Sequence, residues 1–555
     1  MKRLLLTLSL ALPAFAQMTT AQREFDFQVL VASLNANYAP YEWKHQLFGF
    51  DLLNAKPWLE RIRAAKDDLE YYEICSQYMS SLGDTHSSYS IPSAFSAGTG
   101  IHLDIYDGKI IIDNIVRSTL PVARYPFAIG DELLAVDGKP ATELLEFYKR
   151  YSYAGNDTAA TRVAAPRLLS RSQSVIPRAH EIGDTVTILV RRASGAEEEF
   201  TLPWIKFGQP LINAGPVPSP VKSARAAARS IEEESEPAYM QPLAALRREV
   251  VDTDPASDVL NYGSVVQVWA WPAASAYTAR ASSFFRVGVF QTEGFRVGYI
   301  RIPNFGPSST AAALAELESH VQFFNANTDG LVIDVMRNNG GDACYNEEVQ
   351  RRLIPYTFRG LGREIRANRS WLVGFSSAYE AAKAANADTW IVQLYAKLLD
   401  EMKQALTETR ARTGPVPICS PSLERLPHPA AYTKPLMVMT DVFSTSAADG
   451  FPAVIQDANR GPIFGTRTNG AGGTVWTLYT GVYSEAISRS TAAMHHRARP
   501  VTAAGYPTSN YVENVGVQPD IYYDFMTLEN LRTAGRPFVE AFSRAIAEHI
   551  RTAPR

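Results

Sequence analysis

The chain lacks features that several classes of protein require. Its three cysteines, Cys75, Cys344 and Cys419, allow at most one disulfide, which excludes a small disulfide-stapled scaffold. The formal net charge of −3 offers no basic excess for nucleic acid. Past the N-terminus, no apolar run reaches the length of a membrane span. No His-Glu-x-x-His or cysteine-pair spacing of a metal site occurs, so we expect neither a metal nor another cofactor.

Two catalytic features are also missing. No Gly-x-Ser-x-Gly elbow occurs in the chain, which disfavours an esterase or lipase of the α/β-hydrolase kind. The 121 residues that follow Lys434 contain no lysine. A serine nucleophile in this part of the chain would therefore need a base from elsewhere.

The N-terminus has the pattern of a secretory signal peptide. Lys2 and Arg3 precede an apolar run over residues 4–12, and Ala14-Phe15-Ala16 forms an A-x-A cleavage site before Gln17. We expect a mature protein that begins near Gln17 and is periplasmic or secreted.

A strand, a turn and a helix are predicted around Ser446. Residues 435–440 form an apolar run of strand length, and Ala447, Phe451 and Ile455 follow with helical spacing. This order puts Ser446 at a helix N-terminus, where free N–H groups and the helix dipole favour negative charge. Two interpretations remain open: Ser446 is an N-cap, or it is a nucleophile.

A glycine pair follows a second predicted strand. Residues 331–335 (LVIDV) look like a buried strand and continue into Arg337-Asn338-Asn339-Gly340-Gly341. Glycines allow close backbone approach and positive φ, and N–H donors aimed at a developing oxyanion stabilise it by roughly 3 kcal/mol each. Gly340 or Gly341, together with the N–H of Ala447, could form an oxyanion hole. A plain Gly-Gly turn is the alternative.

In their order along the chain, these segments resemble the C-terminal processing (tail-specific) serine peptidases. The family carries its catalytic lysine where this chain has Ala471. Residues 82–89 (LGDTHSSY) resemble the family's N-terminal histidine motif, and residues 511–520 (YVENVGVQPD) resemble its closing segment. The pattern is closest to the lysine-lacking members, which include tricorn-type and chlamydial proteases.

In those members the equivalent histidine is the general base and a glutamate orients it. The resemblance therefore implies a triad of Ser446, His86 and Glu513. Thr85 would support the triad with a hydroxyl that bonds Glu513. The pair His495-His496 suggests a metal or a second base only weakly, since adjacent side chains point away from each other.

The implied fold class is α/β, or α+β multidomain, with an N-terminal helical segment, a PDZ-like β-rich domain and a C-terminal α/β core of the ClpP/crotonase-like peptidase type. The PDZ-like domain rests on residues 130–138 (GDELLAVDG), and it is either a peptide-binding groove or a packing module. Residues 209–262 are rich in Pro, Ala, Ser and charge, which predicts a flexible insert. The resemblance to the chlamydial members implies that cleavage of this insert accompanies activation. The expected units are 1–16 signal peptide, 17–97 helical segment with the His86 loop, 98–208 PDZ-like domain, 209–262 flexible insert and 263–555 serine peptidase core.

The function expected from this pattern is an exported serine endopeptidase that acts on polypeptides through an acyl-enzyme. A homodimer is compatible with the resemblance. A non-catalytic binding protein on the same fold is the alternative, and the missing lysine is its main support.

Overall fold

The computed structural model describes residues 17–214, 237–250, 260–478 and 481–553. The predicted signal peptide, at residues 1–16, lies outside the described residues. Across the described ranges, no helix combines the length and the apolar composition that a membrane crossing needs.

The N-terminal segment is helical, as predicted. Thr19 caps its first helix by accepting from the N–H of Gln22, and Asp67 caps the fourth by accepting from the N–H of Glu70. The helices bury a cluster that includes Phe27, Leu34 and Tyr78. The elements are α1 Thr20–Asn37, α2 Tyr41–Phe48, α3 Lys56–Ala64, α4 Asp68–Ser80 and strand β1 Ser88–Ser90.

The β-rich domain is built on a six-stranded antiparallel sheet. Asp137 and Gly138 both have positive φ, at 48° and 74°, and form the two-residue turn of a hairpin within the predicted PDZ-like segment. The elements are β2 Ser96–Gly98, β3 Ile101–Tyr106, β4 Lys109–Ile115, β5 Glu132–Val136, β6 Lys139–Pro140, α5 Ala141–Lys149, α6 Asp157–Ala164, β7 Ser170–Ser172, β8 Thr185–Arg191, β9 Glu197–Pro203 and β10 Ile205–Phe207.

Part of the segment predicted to be a flexible insert is folded. Leu243 and Leu246 are both 0% exposed and pack in one cluster with Trp371 and Phe375. This apolar burial offsets the entropy of ordering the segment, so the prediction of a flexible stretch over residues 209–262 is wrong here. Residues 215–236 and 251–259 lie outside the described residues. The elements are α7 Gln241–Arg247 and β11 Arg248–Val250.

The C-terminal core contains a seven-stranded mixed sheet. The predicted strands at 331–335 and 435–440 are confirmed as neighbours that run parallel in the middle of this sheet. The elements that begin the core are β12 Thr278–Arg280, β13 Arg286–Thr292, β14 Phe295–Arg301, α8 Thr310–Asn327, β15 Gly330–Asp334, β16 Gly340–Asp342, α9 Ala343–Arg351, β17 Phe358–Arg359, β18 Gly362–Ile365, α10 Arg369–Ala384, α11 Thr389–Thr407, β19 Glu424–Arg425 and β20 Leu436–Thr440.

A second, five-stranded sheet forms around one long strand of the core, β23, which spans Ile487–Val501. β1 of the N-terminal segment pairs with this strand, so the helical segment and the core share one sheet. The remaining elements are α12 Ala447–Asp457, β21 Ile463–Gly465, β22 Gly473–Leu478, β23 Ile487–Val501, β24 Ser509–Tyr511, β25 Ile521–Tyr522, α13 Leu528–Arg532 and α14 Arg536–Thr552.

One disulfide crosslinks the core. Cys344 at the start of α9 bonds Cys419, 75 residues further along the chain, and Cys75 remains a buried free thiol. This agrees with the expectation of at most one disulfide. In the chain-entropy model, closing a loop of that length stabilises the fold by about 4 kcal/mol.

Candidate active site

Ser446 lies in a strained turn between β20 and α12. Its φ of 64° and ψ of −114° are unusual for a residue with a Cβ. The residue is fully buried, and its N–H donates to Asp449 Oδ2 at 2.7 Å. Such backbone strain persists only where the surroundings hold it, and it is common at catalytic residues.

His86 contacts Ser446 although the two residues are 360 positions apart. Its Nε2 lies 2.7 Å from Ser446 Oγ. Asp84 holds the histidine loop, because its Oδ1 accepts from the N–H of His86 at 2.8 Å and its Oδ2 accepts from the Thr491 hydroxyl at 2.9 Å. Burial lowers the pKa of His86 to about 4, and the nearby charge of Asp84 only partly opposes this. At neutral pH the imidazole is therefore uncharged and can accept a proton.

Glu513 lies in the same buried region but does not bond the imidazole. Its Oε1 forms an ion pair with Lys44, and its Oε2 accepts from the N–H of Gly472 at 2.9 Å. His86 Nδ1 has no hydrogen-bond partner among the described residues. The predicted direct contact between Glu513 and His86 is thus absent, and the carboxylate oxygens bond Lys44 and Gly472. Burial raises the pKa of Glu513, and Lys44 opposes the rise.

The sequence did not identify Lys44 and Asn514 as site residues. Lys44 Nζ, which is 0% exposed, donates to the carbonyl of Gly83 and to Asn514 Oδ1, both at 2.7 Å. Asn514 Nδ2 donates to the same Gly83 carbonyl at 2.8 Å. Glu513, Lys44 and Asn514 together hold the backbone just before the His86 loop. The sequence signal that could have identified Lys44 is its position directly after Trp43 in an aromatic stretch.

Thr85 has a different partner from the one predicted. Its hydroxyl donates to Asn469 Oδ1 at 2.6 Å and accepts from the N–H of Gly155 at 2.8 Å. The only hydroxyl proton is committed to Asn469, so the expected bond to Glu513 does not form. Thr85 instead ties the histidine loop to the residues just before Ala471.

The glycine turn lies beside Ser446. A Cβ added to Gly340 would lie 2.9 Å from Ser446 Cβ, and the φ values of Gly340 and Gly341 are 92° and 155°. The Gly340 N–H donates to Asn338 Oδ1 at 2.8 Å. Gly340 is therefore not an oxyanion donor in this arrangement, since its own turn uses its N–H. Gly341 and Ala447 remain the candidate donors.

Asp449 binds the loop in which the family carries its lysine. Its carboxylate accepts from the N–H groups of Ser446, Gly470 and Ala471, at 2.7, 2.8 and 3.1 Å. Burial raises the pKa of Asp449 to about 6, against the opposing effect of these N–H groups. Sequence reasoning missed this residue, although it lies only three positions after Ser446.

A strand of the same chain lies across the glycine turn. β11 pairs antiparallel with β16, so that Glu249 is opposite Gly341. The Glu249 carboxylate, which is 0% exposed, binds Arg363 and His495. His496 instead lies 3.8 Å from Glu364. The two adjacent histidines point apart, as expected, and His495 contacts a carboxylate.

Comparisons with known sequences identify two regions of the chain. Residues 296–523 match peptidase family S41, and residues 96–211 match a PDZ domain. An uncharacterised protein of Chlamydia muridarum (strain MoPn / Nigg) is 25% identical over 606 residues, which cover 99% of this chain and 96% of that protein. A protein of Chlamydia trachomatis serovar D is 26% identical over 572 residues, covering 92% of this chain and 90% of that protein.

Solved structures share the fold over nearly the whole chain. Mature CPAF superimposes with a TM-score of 0.75 at 20% identity, covering 97% of this chain and 99% of that chain. Mature CPAF complexed with lactacystin gives a TM-score of 0.74 at 21% identity and covers 96% of this chain and 99% of that chain. This chain and mature CPAF therefore share the order of helical segment, PDZ domain and α/β core.

Proposed function

We propose that this chain, whose residues 296–523 match peptidase family S41, is a serine endopeptidase with a histidine base. Ser446 attacks the carbonyl carbon of a peptide bond, and His86 accepts the hydroxyl proton. The acyl-enzyme that forms is then hydrolysed by water.

The observation that carries this proposal is the 2.7 Å contact between His86 Nε2 and Ser446 Oγ. This distance lies within the range over which a base removes a proton from a nucleophile. The low pKa of buried His86 supports the role further, because the imidazole is already neutral at neutral pH. A lysine base is not needed, and Ala471 does not argue against catalysis.

Other groups have positioning roles in this proposal. The N–H groups of Gly341 and Ala447 stabilise the tetrahedral oxyanion. Glu513 acts on His86 through Lys44 and the Gly83 carbonyl, because it has no direct bond to the imidazole. Asp449 holds the Ser446 N–H and the loop at Ala471 together.

Covalent labelling tests the proposed nucleophile. A fluorophosphonate should label the folded protein at Ser446, and Ser446→Ala should abolish the label, because the probe reacts only with an activated hydroxyl. The same protein should be tested before and after limited proteolysis. Ser444→Ala is the matched control, since the Ser444 hydroxyl donates to the Val335 carbonyl at 2.8 Å and does not contact His86. Absence of label from folded wild-type protein in both states would favour a non-catalytic binding protein.

The proposed location is the periplasm or the exterior of the cell. The disulfide between Cys344 and Cys419 supports it, because disulfides persist in oxidising compartments and are rare in the cytosol. In the native host, we expect the protein in the periplasmic or extracellular fraction with Gln17 as its first residue, as read by mass spectrometry. Intact protein that starts at Met1 and remains in the cytosol contradicts the proposal.

A further inference from the structure

The backbone of Glu249 pairs with the glycine turn beside Ser446. β11 runs antiparallel to the glycine turn, with Glu249 opposite Gly341 and Val250 opposite Gly340. A Cβ added to Gly340 would lie 2.0 Å from the carbonyl oxygen of Glu249 and 2.9 Å from Ser446 Cβ. The carbonyl oxygen of Glu249 and the side chain of Ser446 therefore lie beside the same glycine, close to each other.

The side chain of Glu249 is enclosed in a charged pocket. Its Oε1 accepts from Arg363 Nε at 3.0 Å and lies 2.9 Å from His495 Nε2, and Arg363 Nη2 makes a further, short contact. Burial opposes the charge of this carboxylate, but Arg363 and His495 outweigh it and lower the pKa of Glu249 to about 2. A buried carboxylate is tolerated only with partners of this kind.

The pocket belongs to the peptidase core and not to the segment that fills it. Arg363 on β18 and His495 on β23 are direct partners in antiparallel pairing. Arg363 Nη1 also donates to the carbonyls of Leu361 and Gly362, both at 3.3 Å, which holds the guanidinium in place. Gly450 of α12 forms part of the wall, since a Cβ there would lie 2.8 Å from Leu361 Cδ1 and 3.8 Å from His495 Cε1.

We propose that Arg363 and His495 select glutamate at the residue whose carbonyl Ser446 attacks. This inference rests on the proposed endopeptidase function. If these contacts served only to fix β11 in place, an ion pair alone would be sufficient. The Glu249 carbonyl lies beside Ser446 while the Glu249 side chain binds Arg363 and His495, which is the arrangement expected of a substrate residue in its specificity pocket.

The reaction after such a glutamate is ordinary peptide hydrolysis. A bond forms between Ser446 Oγ and the glutamate carbonyl carbon, and the bond from that carbon to the next residue's nitrogen breaks. The departing amine takes the proton that His86 received from Ser446. Water then adds to the acyl carbon while His86 takes its proton, the bond from that carbon to Ser446 Oγ breaks, and His86 returns the proton to Ser446 Oγ. The product leaves with a new C-terminal α-carboxylate on the glutamate.

Peptides that differ at one residue test the inference. The full-length enzyme is given peptides identical except for Glu, Gln, Asp, Leu or Lys before the scissile bond, and kcat/KM is measured for each. We expect Glu to exceed Gln by about 10- to 100-fold, because Gln removes charge-assisted hydrogen bonds. Asp should fall below Glu by about 10- to 200-fold, since it is one methylene shorter.

Two variants separate the pocket from general effects on the fold. Arg363→Gln and His495→Gln should each reduce the ratio of Glu to Gln cleavage, with the Arg363 variant bringing it close to one. His496→Gln is the matched control and should keep the wild-type ratio, because the His496 side chain is directed away, toward Glu364. We compare the ratio of kcat/KM for the Glu and Gln peptides because a variant that binds Glu249 more weakly also changes how easily any peptide enters the site. If Arg363→Gln does not fold, the preference of the wild-type enzyme and the ratio measured for His495→Gln still test whether the pocket selects glutamate.

The outcomes distinguish the two proposals. Fluorophosphonate reacts at Ser446 without a glutamate side chain, so it reports the catalytic serine alone. Labelled enzyme that cleaves the Leu or Lys peptide as fast as the Glu peptide overturns the glutamate pocket and leaves the peptidase proposal intact. An unchanged Glu-to-Gln ratio in a folded Arg363→Gln enzyme also overturns the pocket. A chain that neither labels nor cleaves any peptide, before or after limited proteolysis, overturns both.

Discussion

Replacing His86 with glutamine should lower the kcat/KM of peptide hydrolysis by about 10⁴- to 10⁶-fold. Glutamine keeps a polar side chain but cannot accept the Ser446 proton and carry it as an imidazolium. Initial rates on one peptide substrate measure the effect, and circular dichroism checks the fold. His102→Gln changes a histidine of the PDZ domain on β3 and should leave kcat/KM within a few-fold of wild type. Retention of more than about a tenth of the activity by the folded His86 variant excludes His86 as the base.

The same base implies a particular pH profile. His86 acts in its neutral form, so activity is lost as pH falls through its pKa, which burial lowers to about 4. Asp449, with a pKa raised to about 6, also gains a proton in the acid range. We therefore expect kcat/KM to fall between about pH 6 and pH 4, below the range of an unperturbed histidine at about 6.5. Asp449→Asn removes the upper step, because asparagine does not titrate. An acid limb centred above pH 6.5 contradicts the assigned environment of His86.

Replacing Lys44 with methionine should destabilise the protein by about 3–5 kcal/mol. The change leaves Glu513 buried without its cation, since both side chains of the pair are 0% exposed. It also removes the donor to the Gly83 carbonyl, which precedes the His86 loop, so activity should fall as well. Urea unfolding gives the change in midpoint, and peptide hydrolysis gives the change in rate.

A second substitution tests whether the unpaired charge is the cause. Lys44→Met combined with Glu513→Gln should recover most of the lost stability, because no buried charge then remains without a partner. Activity should remain low if Glu513 positions the histidine loop through Lys44. Lys66→Met, at an exposed lysine, serves as the control and should shift the midpoint little. A Lys44→Met protein as stable as wild type would show that the ion pair contributes little to the fold.

Local patterns in the sequence predicted the elements that carry the reacting groups. The strand before Ser446, the helix after it, and the strand that leads to Gly340 and Gly341 all form as expected. These elements depend on apolar runs and glycine positions within a few residues, which a sequence displays directly. Helix α12 begins at Ala447 even with Pro452 inside it, so its packing outweighs the cost of that proline.

The partners of the polar side chains could not be predicted in this way. We expected Glu513 to bond His86, but its Oε1 pairs with Lys44, which lies 469 positions earlier in the chain. Glu249 lay in a stretch read as flexible, yet its carboxylate is buried against His495, 246 positions away. Local periodicity in the sequence predicts neither pairing, because ion pairs of this kind depend on which strands and helices contact each other.

The sequence by itself determined the family resemblance, the α/β core and the PDZ-like hairpin, and it singled out Ser446, His86 and the glycine pair as candidates. Each of these rests on neighbouring residues or on short motifs in a fixed order. Only the tertiary structure decided that His86 contacts Ser446, that Lys44 pairs with Glu513, and that Arg363 and His495 bind Glu249 beside Ser446. The physical reason is that the strength of buried charge interactions depends on distance and desolvation, and the fold creates both by joining segments that lie hundreds of residues apart.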